Sequence, residues 1–179
     1  MSEQRWFAAY VKSRHESRVV ERLAARSVET FLPQYKSTRS WTDRKIELEL
    51  PLFSGYVFVH IPIEDRLCVL EAPGVLYLVG ASGRPEPLED VEIEQLKMAL
   101  ISGQDPRPHA FIKAGDRVVI TRGRLEGYEG FWVREKNAHR VVLQMDLINR
   151  AMSVEVDADA IAPVTSWRNQ YLGSQRISV

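Results

Sequence analysis

The chain has a single cysteine, Cys68, among 179 residues. One cysteine excludes a disulfide framework and a cysteine-based zinc site within the chain, and it suits a reducing compartment. Net charge is also missing: 24 Lys and Arg stand against 24 Asp and Glu. Whole-chain charge therefore points to neither nucleic acid nor membrane. No apolar run approaches the ~20 residues of a membrane helix, and the opening Met-Ser-Glu-Gln-Arg lacks an apolar signal segment. A soluble, cytoplasmic protein is expected. The four histidines, His15, His60, His109 and His139, show no metal-ligand spacing. Cys68 has no sequence-level partner and reads as a buried, inert thiol. Phosphate-loop and dinucleotide patterns are absent. Glu47 and Glu49 alternate along a strand and solubilise it. The reading is a non-enzyme, with no catalytic residue, metal or cofactor.

What is present is patterned. Residues 1–45 carry a net charge of +5 and residues 46–104 a net charge of −7, a polarity that suits a partner bearing both signs. Leu52 to Val59 reads as a strand entered through a tight turn at Gly55, with Tyr56, Phe58 and His60 on one face and Val57, Val59 and Ile61 on the other. Trp6–Val11 is a second strand apolar on both faces. Between these strands, Ser13 and Glu16 have capping-box spacing. A helix follows from about Arg14 to Ser27, with Val20, Leu23, Ala24 and Val28 near helical period. Arg14, Arg18, Arg22 and Arg26 recur every four residues along its side. Such a stripe is either a solvated face, partly balanced by Glu21, or a phosphate-binding one, extended by Arg5, Lys12 and His15.

Thr30–Tyr35 reads as a short strand in which Pro33 argues for an edge position or a bulge. Lys36–Trp41 and Lys45–Leu50 form a hairpin arm about Thr42-Asp43-Arg44. A short helix over 63–71, a two-faced strand over 75–79, a loop to Pro87 and a helix over 89–102 complete the first half. Helices starting at Arg14 and Glu89 are expected to cover one face of the sheet, leaving the Tyr56 side short of cover and open to a partner. Residues 105–111 read as a linker. Beyond Phe111 five short strands, near 118–121, 130–133, 141–145, 152–156 and 161–164, suggest a small barrel. The polar tail 166–179 is expected to be flexible.

These pieces together resemble the NusG family of transcription elongation factors, from about Trp6 to Val164. Trp6-Phe7-Ala8-Ala9-Tyr10 is similar to the family's opening strand. Pro51-Leu52-Phe53-Ser54-Gly55-Tyr56 is similar to its "FPGY" signature, with Ser54 in place of the usual proline. Pro73-Gly74-Val75 matches the turn before the last sheet strand. Gly115 and Asp116, followed by Gly123, Gly127 and Gly130, resemble the KOW motif. The resemblance implies an α+β chain: a ferredoxin-like NGN domain over 1–104, an antiparallel sheet with helices, then an all-β SH3-like KOW barrel over 112–165. It implies that the NGN domain binds RNA polymerase at the clamp helices through Trp6, Tyr10, Leu52, Phe53, Gly55 and Tyr56, and reduces pausing. It implies that the KOW domain recruits a small-subunit ribosomal protein or Rho. Leu147-Ile148-Asn149-Arg150 and the short Tyr10–Arg14 passage look closer to specialised RfaH-like paralogues, which contact non-template DNA. Lys12, Arg14, His15, Arg18 and Arg22 sit on the matching stretch. Such paralogues can hold the KOW region as helices; the strand alternation of Met152–Val156 favours the barrel here. A monomer is expected. The rival reading is an RNA- or ribosome-binding module built on the KOW barrel, without polymerase affinity.

Overall fold

The computed structural model describes residues 3–41, 44–109, 116–135 and 138–164. The expected turn residues Thr42 and Asp43, Gly115 of the glycine motif and the tail 166–179 lie outside them. The chain forms two compact units, Met1–Leu96 with Asp146–Ile148, and Lys97–Met145 with Asn149–Val179.

The first unit runs β1 (Arg5–Val11), α1 (Glu16–Ala24), β2 (Glu29–Phe31), β3 (Gln34–Trp41), β4 (Arg44–Pro51), β5 (Tyr56–Ile61), α2 (Arg66–Leu70), β6 (Val75–Leu78), β7 (Gly80–Ala81) and β8 (Arg84–Pro85), then enters α3 (Asp90–Ile101). Four strands form an antiparallel sheet in the order β2-β5-β1-β6. With α1 between β1 and β2, and α2 between β5 and β6, this is the ferredoxin-like β-α-β-β-α-β path. β3 and β4 form a separate hairpin inserted into it, paired from Gln34↔Pro51 to Trp41↔Arg44. Pro33 falls in the break between β2 and β3, where it interrupts no ladder. The expected loop at 80–87 contains the small β7–β8 hairpin.

β1 and β5 pair from Arg5↔Ile61 to Tyr10↔Tyr56. Directly paired residues share a face, so Trp6, Ala8 and Tyr10 lie with Tyr56, Phe58 and His60. Phe7, Ala9 and Val11 lie on the other face with Val57, Val59 and Ile61, packed with Val19 and Leu23 of α1 and Val69 of α2. The expectation of an open Tyr56 side is corrected here. Trp6, Ala8, Tyr56 and Phe58 are buried, as are Leu52 and Phe53. The cause is an aromatic layer assembled from distant segments. Trp6 stacks on His60 at 4.7 Å and meets Phe31 edge-on at 6.4 Å, while Phe58 contacts both Phe31 and Phe53. Leu88, itself buried, runs beside β1 and donates its N–H to the Trp6 carbonyl at 2.8 Å.

The second unit contains β9 (Arg107–His109), β10 (Arg117–Ile120), β11 (Glu129–Glu135), β12 (Ala138–Met145), β13 (Arg150–Val156) and β14 (Ile161–Pro163). They form one antiparallel sheet, ordered β14-β10-β11-β12-β13-β9. The five strands expected from sequence are all present in strand form. The sixth, β9, comes from the segment read as a linker, which is therefore built into the sheet at 107–109.

Arg140 explains why that segment docks. It is only 3% exposed. Its Nε donates to Ser153 Oγ at 2.9 Å, and Nη2 donates to the carbonyls of Asp105 at 2.6 Å and Ser153 at 3.1 Å. The carboxylates of Asp105 and Glu155 lie within 3.7 Å of Nη1. Hydrogen bonds from a charged donor contribute about 1.5–3 kcal/mol together with the cost of orphaned acceptors. The two carboxylates are half exposed and regain water when released. Arg140→Met is therefore expected to lower the stability of the second unit by about 2–3 kcal/mol, read from the urea midpoint, and to speed proteolysis between Gln104 and His109. An unchanged midpoint and cleavage rate would mean that β9 docks without the arginine.

Candidate functional site

The Phe53–Tyr56 turn leads into β5. The Tyr56 N–H closes it onto the Phe53 carbonyl at 3.1 Å. Gly55 has φ +84°, and a Cβ there would stand 3.1 Å from Tyr10 Cε2. Glycine meets both demands at once, a left-handed backbone and close approach of a ring. The Tyr10 ring thus lies against the turn and contacts the Tyr56 ring at 5.2 Å on one side and the Tyr77 ring at 5.1 Å on the other.

Of the six residues expected to form a docking patch, Trp6, Leu52, Phe53, Gly55 and Tyr56 are buried and Tyr10 is half-buried. They are brought together, but as a support rather than as an open surface. The open part is elsewhere. Tyr77 is 51% exposed and Leu76 is 48% exposed, both on the edge strand β6. The sequence gives β6 as apolar on both sides, which signals a strand but not which side chain is left uncovered.

The arginine stripe is less regular than its spacing implies. α1 begins at Glu16, and Arg14 precedes it with φ +64°. Arg26 follows the helix end, so only Arg18 and Arg22 of the four lie on α1. Arg22 Nη1 donates to the Pro73 carbonyl, and Arg26 Nη1 to the Cys68 carbonyl at 2.7 Å. These two arginines tie α1 to the α2–β6 segment. The side chains of Lys12, Arg14 and Arg18 are exposed, with no hydrogen bond or ion pair among the described residues. His15 is half-buried, its Nδ1 3.0 Å from the Ser13 carbonyl. Cys68 is half-buried rather than buried.

The capping box is not formed. The N-cap of α1 is His15, without a side-chain cap bond. Glu16 is 4% exposed and its Oε1 accepts the Gly55 N–H at 2.8 Å. Ser13-x-x-Glu16 is the right spacing for a local cap, so the long-range partner has no local signal.

In the second unit, Gly123 and Gly127 have φ +88° and +87°, with open space where a Cβ would be. The Gly127 N–H closes onto the Ile120 carbonyl at 2.7 Å. Gly130 sits within β11, and its missing Cβ makes room for Val142 and Val141 of β12. Asp116 accepts the Trp132 N–H at 2.9 Å through its carbonyl. With Arg117, Val118, Trp132, Ile161 and Pro163 it lines a groove of about 380 Å³. Beside the glycine turn Arg122 hydrogen-bonds Asp159, which holds that carboxyl below the usual carboxylate range.

The fold recurs in known proteins. The family model for the transcription termination factor NusG matches residues 4–97, more than half of the chain. The chain belongs to the NusG family. Curated relatives named transcription termination/antitermination protein NusG include that of Lactococcus lactis, 28% identical over 90% of this chain and 94% of the relative. The NusG of Deinococcus radiodurans is 26% identical over 88% and 97%, respectively. A solved structure described as domain interaction in Thermotoga maritima NusG covers 90% of this chain and 98% of its own, with a TM-score of 0.58 and 21% identity. That likeness shows the fold: a NusG-type α+β unit followed by a β unit. The NusG relatives are transcription factors, so this chain stands in a family of termination and antitermination factors.

Proposed function

We propose that this NusG-family chain is a non-enzymatic elongation factor that binds RNA polymerase through its first unit, suppresses pausing or termination, and recruits a second partner through its second. One observation supports the docking side in particular. Tyr77 stays exposed against the Tyr10 ring, which packs in turn on Tyr56 at the signature turn, and Leu76 beside it in sequence is exposed as well. An exposed apolar patch on a rigid support suits a helical partner such as the clamp helices. Gly55 and Tyr56 act by holding the Tyr10 ring in place, and Trp6, Leu52 and Phe53 by filling the buried layer of the same unit. Lys12, Arg14 and Arg18 suit phosphates of single-stranded, non-template DNA, with Arg22 and His15 at the margin. The second-unit partner is a small-subunit ribosomal protein or Rho.

The test is the pair Leu76→Ser and Tyr77→Ser in the full chain. Removing two contact residues of a small interface is expected to weaken polymerase binding by about 1–2 kcal/mol, roughly five- to thirty-fold, and to restore pause lifetimes toward those without the factor. Both side chains are half in water, so the fold survives. Unchanged polymerase affinity in the folded variant would sink the docking reading. Salt-sensitive RNA binding by the full chain, without any polymerase affinity, would instead establish the rival reading of an RNA- or ribosome-binding module.

A further inference from the structure

Glu16 is buried in a place where helices usually show a carboxylate to water. An acidic residue in the first turn complements the helix dipole from the surface. Here the side chain turns inward across the unit to the Gly55 N–H, 39 residues away in sequence. Gly55 is held at its other end as well, because its carbonyl accepts the Val11 N–H at 2.8 Å. The next residue, Lys12, donates its N–H to the Gly74 carbonyl at 2.8 Å. Gly74 in turn lies close to α1, where a Cβ would stand 2.9 Å from Val19 Cγ2 and 3.6 Å from His15 Cβ. The segment Lys12–His15 is thereby pinned at its start to two turns and at its end to α1. Within it Arg14 takes the left-handed conformation, which a non-glycine residue adopts only when its surroundings impose it.

We propose that Glu16 is a positioning residue that serves two surfaces at once. This rests on the reading of those surfaces given above. Its carboxylate fixes the Gly55 turn against which the Tyr10 ring is seated, and through Tyr10 the exposed Tyr77. The same side chain anchors the start of α1, and so the loop that presents Lys12 and Arg14. Both surfaces are preorganised by one hydrogen bond, and both lose affinity when it is lost, because each must then be ordered during binding.

The test compares Glu16→Met, Glu16→Asp and Glu16→Gln in the full chain. Affinity is measured for core RNA polymerase and for a single-stranded oligothymidylate, and Gly55 amide exchange is followed by NMR. Methionine removes the acceptor, aspartate keeps the charge but falls short, and glutamine keeps an acceptor oxygen at the same reach. Glu16→Met is expected to weaken both affinities about tenfold, the scale of one hydrogen bond to a charged group, and to speed Gly55 exchange relative to the amides of β5. Glu16→Asp moves the same way, and Glu16→Gln restores both affinities to near the parent values. If methionine unfolds the chain, the contrast between aspartate and glutamine decides. A merely structural role would lower stability and leave the affinities of the folded protein unchanged. That outcome overturns the proposal, as does loss on one surface only, or a glutamine variant as poor as methionine. A parent chain that binds no polymerase overturns the functional reading itself, whereas a parent that binds with indifferent Glu16 variants overturns only the role of Glu16.

Discussion

Phe53→Ala is expected to destabilise the first unit by about 3–5 kcal/mol, the range for truncating a buried phenylalanine. Phe53 is 2% exposed and meets Phe58 edge-on, with ring centroids 6.2 Å apart. Phe58 is fully buried on β5, so truncating Phe53 removes packing from a ring that water does not reach. The turn adds to the cost, because the Phe53 carbonyl closes it onto the Tyr56 N–H. Urea unfolding followed by near-ultraviolet signals of the aromatic layer measures the effect. The chain has two units, so its two transitions are fitted separately. A loss below about 1 kcal/mol would mean that the ring sits on an accessible surface. The consequence for function is direct. A failed polymerase pull-down with Phe53→Ala reports an unfolded support, whereas the same failure with Tyr77→Ser reports a lost contact.

Gly130→Ala is the second large effect. A Cβ at this position would lie 2.5 Å from the Val142 carbonyl oxygen and 2.6 Å from Val141 Cγ1. The first of these atoms is backbone in the adjacent strand, paired through Phe131↔Val142. Relief requires β11 and β12 to separate, which breaks ladder hydrogen bonds in the middle of the sheet. A cost of about 3 kcal/mol or more is expected, at the upper end for overpacking. Gly123→Ala and Gly127→Ala meet open space, and each costs about 1–2 kcal/mol for the left-handed backbone alone. Thermal melts of the three variants should rank Gly130→Ala well below the other two. Equal losses would show that the close approach at Gly130 costs no more than the left-handed backbone at the other two.

The two units divide the work in physical terms. In the first, rigidity comes from an aromatic layer that closes what the strand pattern leaves open. Tyr77 and Leu76 stay exposed at its edge strand, and Lys12, Arg14 and Arg18 at the entry to α1. In the second, a buried arginine holds the segment at 105–109 against β13, so a stretch whose composition reads as a linker is part of the sheet. In the reading proposed above, these devices present contacts at fixed positions.

Several features were legible in the residues alone. Period-two alternation gave β4 and β13, runs of β-branched and aromatic residues gave β1 and β5, short apolar runs between turn residues gave the rest of the second unit, and Gly55 marked its turn, because these signals depend on residues adjacent in the chain. The family, too, was legible from the order of Trp6–Tyr10, Leu52–Tyr56, Pro73-Gly74 and the later glycines. What the residues could not decide was cover. Trp6, Phe31, Leu88 and the Phe53–Phe58 stretch come from four separate segments, and only the folded chain shows that they pack into one layer and leave Tyr77 outside. Partner choice was equally hidden. Glu16 has the spacing of a local cap and Arg22 the spacing of a charged stripe, yet each bonds a backbone group some forty or fifty residues away. Local pattern fixes which conformation a segment prefers. Which face is buried, and which polar group is satisfied by whom, are settled by contacts between segments distant in sequence, and these exist only in the tertiary structure.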